Sequence, residues 1–454
     1  MIATILAKTV RHAIEERIYS MNIKTVTIVG ANGTVGSNIA GIFASFGKAT
    51  VYMVSRSNEK SRLAALNAIK SVKADSISSR LIPVDYGMLA DCVRQSDLIF
   101  ESVAENFDIK QSIIQEIAKS CREDSIIASG TSGLSITSLA EILPTSLRSR
   151  FGGIHMFNPP YHLSLCEVIP TKYSDRELFN EIKEYLKATL FRTVVEVKDS
   201  PAFLGNRVGF YFINMALQYA EKYQANGGID YIDEILGCHT GRSMAPIVTA
   251  DYVGLDVHKA IVNNVHEKVK DAFCDVFALP NYVEELISLG HLGKKSKGGL
   301  YKQAILDDGQ NRMLVYDIAS KSYRERINYD FPFVAKMKEA IRIGDYQSAL
   351  TKLIDDRSNE AKICLQFLLQ YVVFALYTAT DIGYSVSAAD DVMATGFNWC
   401  PPQALVGAFS NICDVNKLCA ESLDPSFSAA VDVKGIMNSV EPSTYDYRPF
   451  LKSK

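Results

Sequence analysis

The sequence predicts an α/β domain built on a doubly wound, mostly parallel sheet, followed by two all-helical regions. Three observations carry that expectation. Over the first 200 residues, short β-branched runs alternate with segments of helical apolar spacing, the pattern of a parallel sheet covered on both faces. A glycine triplet follows the first run and opens a helix. Beyond about residue 204 the strand-like runs stop and apolar residues recur at helical spacing.

In chain order, "TVTIVG" (25–30), "ATVYMV" (49–54), "LIPV" (81–84), "LIFESV" (98–103) and "SIIAS" (125–129) read as strands. Helical segments such as "VGSNIAGIFASFG" and "IKQSIIQEIAKSC" lie between them. "GGIHMF" and "LCEVI" continue as two more strands. "FRTVVEVK" (191–198) is another, after the helical "DRELFNEIKEYLKATL". The helical region opens at "LGNRVGFYFINMALQYAEKY". A polar stretch from about 303 to 330 reads as a connector, and helical signals resume at about 335.

The expected boundaries are an N-terminal helical extension over 1–22, a sheet domain over 23–200 and a first helical domain over 201–305. A connector over 306–334 and a second helical domain over 335–454 complete the chain. The two helical domains look like a degenerate repeat. Gly241 lies five residues before Pro246 and Gly396 five before Pro401, each after an acidic helix start.

Composition narrows the function classes. The chain is 48% hydrophobic and 22% charged, with a net charge of −3, which gives no footprint for nucleic acid. Nine cysteines are scattered without a C-x-x-C pair, which points to reduced thiols and a cytoplasmic location. No uninterrupted apolar stretch reaches about 18 residues, so no membrane partner is expected. No cluster of metal-ligand residues stands out. A small-molecule substrate and a monomer or homodimer are the expected partners.

The chemistry begins at "TIVGANGTVGSNIA". Gly30 suits the tight turn at the strand end, Gly33 allows a pyrophosphate to approach the backbone, and Gly36 allows close helix packing. Asn32, Thr34 and Val35 complete the loop. The spacing is G-x-x-G-x-x-G, one residue longer than the usual form. With a strand before it and a helix after it, the loop predicts a Rossmann-type domain binding a nicotinamide dinucleotide, NAD or NADP. At the end of the second strand, Ser55 and Arg56 stand where an NAD-binding fold usually places a carboxylate. With no carboxylate to repel a 2′-phosphate and a guanidinium to bind one, local chemistry favours NADP.

"GGIHMFNPPYHLSLCEVI" (152–169) places His155 and Glu167 in apolar runs. An antiparallel return would bring them together. A carboxylate on one ring nitrogen fixes the tautomer and raises basicity, leaving the other nitrogen to act as a general base. His162 reads as a loop residue.

These motifs together resemble the 3-hydroxyacyl-CoA dehydrogenase family, from about residue 24 to 302 and more weakly to the C-terminus. "ESVAENFDIK" resembles E-x-x-x-E-x-x-x-x-K, "SGTSGLSIT" resembles S-N-T-S-S-L-x-I, and "HMFNPP" resembles H-F-F-N-P. "DSPAFLGNR" resembles D-x-P-G-F-x-x-N-R, "GRSMAPIVTADYVGLD" resembles G-x-P-M-G-P with D-x-x-G-L-D, and "GKKSKGGLY" resembles G-x-K-x-G-x-G-F/Y. The resemblance implies His155 as catalytic base and Glu167 as its orienting partner. It implies Ser132 and Asn206 at the substrate's reacting oxygens, and Glu105 and Lys110 at the nicotinamide end and ribose of the cofactor. It also implies an acyl-CoA substrate and, of the two cofactors, NAD. Two C-terminal helical domains resemble the long family members, in which the second takes the place of a partner subunit. Gly130 departs from the family's usual Asn beside the nicotinamide. Lys294, Lys295 and Lys297 are available for CoA phosphates. The expected reaction is interconversion of (3S)-3-hydroxyacyl-CoA and 3-oxoacyl-CoA. The alternatives are a dehydrogenase of a non-CoA hydroxy acid, such as a sugar acid, and a cofactor-binding protein that has lost catalysis.

Overall fold

A computed structural model describes residues 21–296, 298–306 and 308–453. All but the last two residues of the expected N-terminal extension lie outside that range. The chain forms two compact units, one ending at Phe203 and one beginning at Leu204.

The first unit holds eight strands: β1 (Thr25–Val29), β2 (Thr50–Ser55), β3 (Leu81–Asp85), β4 (Leu98–Glu101), β5 (Ile126–Ser129), β6 (Phe151–Met156), β7 (Leu165–Pro170) and β8 (Thr193–Glu196). Their order is β3-β2-β1-β4-β5-β6-β7-β8. The first six run parallel, β7 returns antiparallel to β6, and β8 lies parallel to β7. The winding reverses between β1 and β4. A crevice at such a switch point, outside the carboxyl ends of the strands, is where open α/β sheets bind ligands.

Every residue of β4, β5 and β6 is buried, which is why these strands read as continuous apolar runs without alternation. The covering helices show the complementary pattern. Helix Arg176–Ala188 buries Phe179, Ile182, Tyr185 and Leu186 on one stripe. Its first turn is capped by Asp175, which accepts from the Glu177 and Leu178 amides.

In the second unit, helices Gly205–Lys222 and Asn359–Ile382 share one core. Tyr211 stacks on Phe374 with ring centroids 3.7 Å apart, and Phe212 meets Phe367 and Tyr371 edge-on. The two expected helical domains therefore fold as one compact unit. Asn359–Ile382 is apolar and long enough to cross a bilayer by composition, yet 83% of its most apolar window is buried inside the fold.

A capping device recurs in both halves of this unit. Asp233 accepts from the Ile247 and Val248 amides at the start of helix Pro246–Val253. Asp390 accepts from the Gln403 amide at the start of helix Pro402–Ser410. Burial pushes the two carboxyls up, to about 7 and about 6. The halves also touch directly: the Cys400 amide donates to the Gly241 carbonyl at 2.7 Å. The buried Arg242 guanidinium lies 3.7 Å from the Phe212 ring centroid and 4.8 Å from those of Tyr371 and Trp399.

The expected connector is instead a small antiparallel sheet: β9 (Tyr301–Ile305), β10 (Asn311–Asp317) and β11 (Ser322–Glu325). Much of its surface faces solvent, so its sequence is polar enough to read as a loop. Arg324 anchors it by two bonds, of 2.6 and 2.9 Å, to the buried carboxylate of Asp230. All nine cysteines are free thiols.

Candidate active site

The glycine loop leaves the end of β1 beside β4. Gly30 has φ +87°, and a Cβ there would lie 2.5 Å from the Ser102 carbonyl oxygen. A Cβ on Gly36 would lie 2.7 Å from the Gly30 oxygen. These two glycines are demanded by the protein's own packing. Gly33 differs: a Cβ there would meet only the Gly30 oxygen, at an ordinary 3.5 Å. Gly33 caps helix Thr34–Ser45 without a side-chain hydrogen bond, and no acidic residue occupies the first turn. Asn32, Gly33 and Thr34 are exposed, Val35 is half-buried, and the helix presents its amides unsatisfied. That is an anion cradle, and it fits a dinucleotide pyrophosphate.

At the end of β2, the expectation for Ser55 needs correction. Ser55 is fully buried, and its hydroxyl bonds that of Ser61 at 2.5 Å, so it points into the fold and not at a ligand. Arg56 is exposed, and no carboxylate among the described residues pairs with it. Ser57 caps helix Asn58–Val72, whose first turn carries Lys60.

Lys110 also departs from expectation. The resemblance implies a lysine at the cofactor ribose, but its side chain is 1% exposed and its ammonium is bound to Glu101 at 2.8 Å. It also donates to the Val103 carbonyl and lies 3.4 Å from Glu105. Glu101, at the end of β4, is fully buried. It accepts as well from the Val103 amide at 2.7 Å and from the Ser129 hydroxyl at 2.6 Å. Glu105 accepts from the Thr131 hydroxyl at 2.5 Å and from the Ser132 amide at 2.9 Å. Here Glu105 braces the loop that carries Ser132.

The other end of that loop is held by Asp199. It accepts from the Ile136 and Thr137 amides and from the Ser135 hydroxyl at 2.8–3.0 Å. Sequence reasoning singled out neither Asp199 nor Glu101 as a positioning group. Gly130 packs under Phe100, and a Cβ there would lie 2.7 Å from that ring. The ring fills the space an asparagine side chain would need.

His155 and Glu167 are direct register partners across β6 and β7. The imidazole Nδ1 lies 2.8 Å from Glu167 Oε2, with His155 5% exposed and Glu167 fully buried. A carboxylate accepts only, so Nδ1 carries the proton and Nε2 is the basic nitrogen. The rings of Phe157 and Phe203 flank the imidazole at 4.7 and 5.5 Å. Ser129 on β5 pairs with Gly153 on β6, so Ser132 and His155 leave neighbouring strands at the same carboxyl edge as Gly30 and Glu101. His162 is exposed.

Asn206 lies in the second unit, buried in the first turn of helix Gly205–Lys222. The lysines suggested for CoA phosphates are partly committed elsewhere. Lys295 pairs with Asp256, Lys294 lies 4.9 Å over the Tyr252 ring, and Lys297 is outside the described residues.

With this geometry in hand, comparison with known proteins is specific. Residues 25–200 match the model of the 3-hydroxyacyl-CoA dehydrogenase NAD binding domain, and residues 203–303 match that of the family's C-terminal domain. A Caenorhabditis elegans protein named "Probable 3-hydroxyacyl-CoA dehydrogenase" is 32% identical over 296 residues, 62% of this chain and 96% of the relative. A Bacillus subtilis protein of the same name is 29% identical over 311 residues, 68% of this chain. The chain spans 38% of that relative's length. A solved 3-hydroxybutyryl-CoA dehydrogenase of Escherichia coli has the same fold over 92% of this chain and 99% of its own, with TM-score 0.65 and 20% identity.

Proposed function

Because this chain belongs to the 3-hydroxyacyl-CoA dehydrogenase family, a family of oxidoreductases with a nicotinamide-binding domain, we propose that it interconverts (3S)-3-hydroxyacyl-CoA and 3-oxoacyl-CoA. The observation that carries this reading is the 2.8 Å contact between His155 Nδ1 and Glu167 Oε2 at the carboxyl edge of the sheet. When bound, the nicotinamide dinucleotide accepts or supplies the hydride. In the oxidation direction, His155 Nε2 takes the proton of the C3 hydroxyl as the C3–H bond gives up its electron pair. The C3–O bond becomes a carbonyl, and Glu167 stabilises the imidazolium that forms. In reduction the same nitrogen returns the proton. Glu105 and Asp199 hold the Thr131–Ser135 loop, which offers Ser132 as a donor for the substrate oxygen; Asn206 takes a donor role from its match to the family's motif. Nine free thiols support a reducing compartment such as the cytoplasm.

Within this reading the cofactor is NADP(H). The support is Arg56, exposed and paired with no carboxylate among the described residues, at the end of a strand that carries no acid; the first turn of the helix that follows holds both Glu59 and Lys60. The test combines turnover and binding. Purified protein given acetoacetyl-CoA and NADPH is expected to lose absorbance at 340 nm, faster than with NADH. Arg56→Ala is expected to weaken NADPH binding by about tenfold or more, the scale of one lost charge-assisted contact, with little change for NADH. Titration of cofactor fluorescence reads both. Equal small effects on the two cofactors would end the NADP assignment, and silence with every 3-oxoacyl-CoA would end the reaction assignment.

A further inference from the structure

Lys110 is one ammonium between two carboxylates. Its Nζ lies 2.8 Å from Glu101 Oε1 and 3.4 Å from Glu105 Oε2. Glu101 is fully buried and has the shorter contact. A buried carboxylate depends on its counter-charge far more than an exposed one, so Lys110 is committed to Glu101. Glu105 is 45% exposed, and its negative charge is left over. Its position is set by the Ser132 amide, which donates to Oε1 at 2.9 Å, and by the Thr131 hydroxyl on the same oxygen. A fixed negative charge therefore lies one hydrogen bond from the residue offered to the substrate oxygen. A second stands behind His155, where Glu167 faces Nδ1. All of these groups belong to the first unit.

Resting on the reaction proposed above, we infer that Glu105 is the counter-ion of the oxidised nicotinamide, as Glu167 is of the imidazolium. In reduction, His155 Nε2 gives its proton to the C3 oxygen as C3 takes up the hydride. The C3 carbonyl becomes an alcohol, and the imidazolium becomes neutral. The electron pair comes from the reduced cofactor, whose uncharged ring ends as a cation. One positive charge is thus present before and after the step, first on His155 and then on the ring. The ring must meet C3 to deliver the hydride, and Ser132 is offered to the oxygen on C3, so the ring comes to rest near Glu105. Without an anion there, the charge would leave one counter-ion and find none. Glu105 supplies that anion, and Lys110 does not cancel it, because Glu101 holds Lys110.

The test measures affinity for NADP+ and NADPH separately, by calorimetry and cofactor fluorescence, in wild type, Glu105→Gln and Glu105→Asp. The same pair of measurements is made with NAD+ and NADH, since the ring is common to both cofactors. Glutamine keeps an acceptor for the Ser132 amide and removes the charge. Aspartate keeps the charge and shortens the reach. Glu105→Gln is expected to weaken the oxidised form about tenfold relative to the reduced form, the scale of one charge pair at a partly exposed site. Glu105→Asp is expected to hold the wild-type ratio, and added salt to move that ratio toward the one seen in the glutamine variant. A role in bracing the loop alone would weaken both forms together in both variants, and that result overturns the counter-ion. An unchanged ratio in Glu105→Gln overturns it as well, and leaves the reaction standing if 3-oxoacyl-CoA is turned over. A selective loss of the oxidised form in a protein that turns over no 3-oxoacyl-CoA supports the charge at Glu105 and removes the reaction. Failure of the wild type to bind either form overturns both.

Discussion

Replacing His155 with glutamine is expected to lower kcat by about 10²–10⁴-fold, the range removed when a positioned general base is lost. Binding of the reduced cofactor should be unchanged. Glutamine is the informative substitution here. Glu167 is fully buried, and an apolar residue opposite it would leave a desolvated carboxylate without a donor. The glutamine amide can still donate to Glu167 across the β6–β7 register pair, so the strands keep their partner interaction. What the amide cannot do is take a proton. Steady-state turnover, cofactor fluorescence and thermal unfolding together separate loss of the base from loss of the fold. A kcat within a few-fold of wild type would remove His155 from the mechanism.

Replacing Lys110 with methionine is expected to destabilise the first unit by about 3–5 kcal/mol, the cost of breaking a buried ion pair on one side. Lys110 and Glu101 are 1% and 0% exposed and 2.8 Å apart. Methionine fills most of the same volume, so the loss reports charge and not a cavity. Glu101 keeps the Val103 amide and the Ser129 hydroxyl as donors, but neither carries the compensating charge. Adding Glu101→Gln to the methionine variant should recover part of the loss, because the uncompensated charge is then gone. Urea titration measures each step. A loss below about 1 kcal/mol, in the range of an exposed pair, would show that the pair contributes little to this fold.

Lys110 also shows what a sequence reveals and conceals. Ile114 and Ile117, four and seven residues on, are the buried positions of the same helix. Lys110 therefore lies on the apolar stripe, and its spacing carried a signal of burial that the motif match overrode. Strands β1–β8 were legible within a residue or two: β4, β5 and β6 are buried on both faces and make unbroken apolar runs, while the half-buried β3 and β8 stood out by their short aliphatic runs. The His155–Glu167 pairing was legible for a related reason: eleven intervening positions allow a short return, and the apolar context fixes which strands pair. β9–β11 were not legible, since much of their surface faces water and "DDGQNR" hides the alternation. The inward turn of Ser55 depends on Ser61, six residues away, and nothing local signals that bond. Asp199 is more distant still, capping amides more than 60 residues earlier in the chain. Helical periodicity found both helical regions of the second unit. It could not show that Tyr211 and Phe374 stack, because period fixes which face is apolar and not which helix covers it.

The most direct measurement follows the hydrogen itself. NADPH dideuterated at nicotinamide C4 is mixed with acetoacetyl-CoA and the protein, and the product is read by mass spectrometry and proton NMR. The expected product carries one deuterium at C3, with the hydroxyl proton drawn from solvent through His155. Turnover that leaves protium at C3 and both deuterons on the cofactor would contradict hydride transfer at this site.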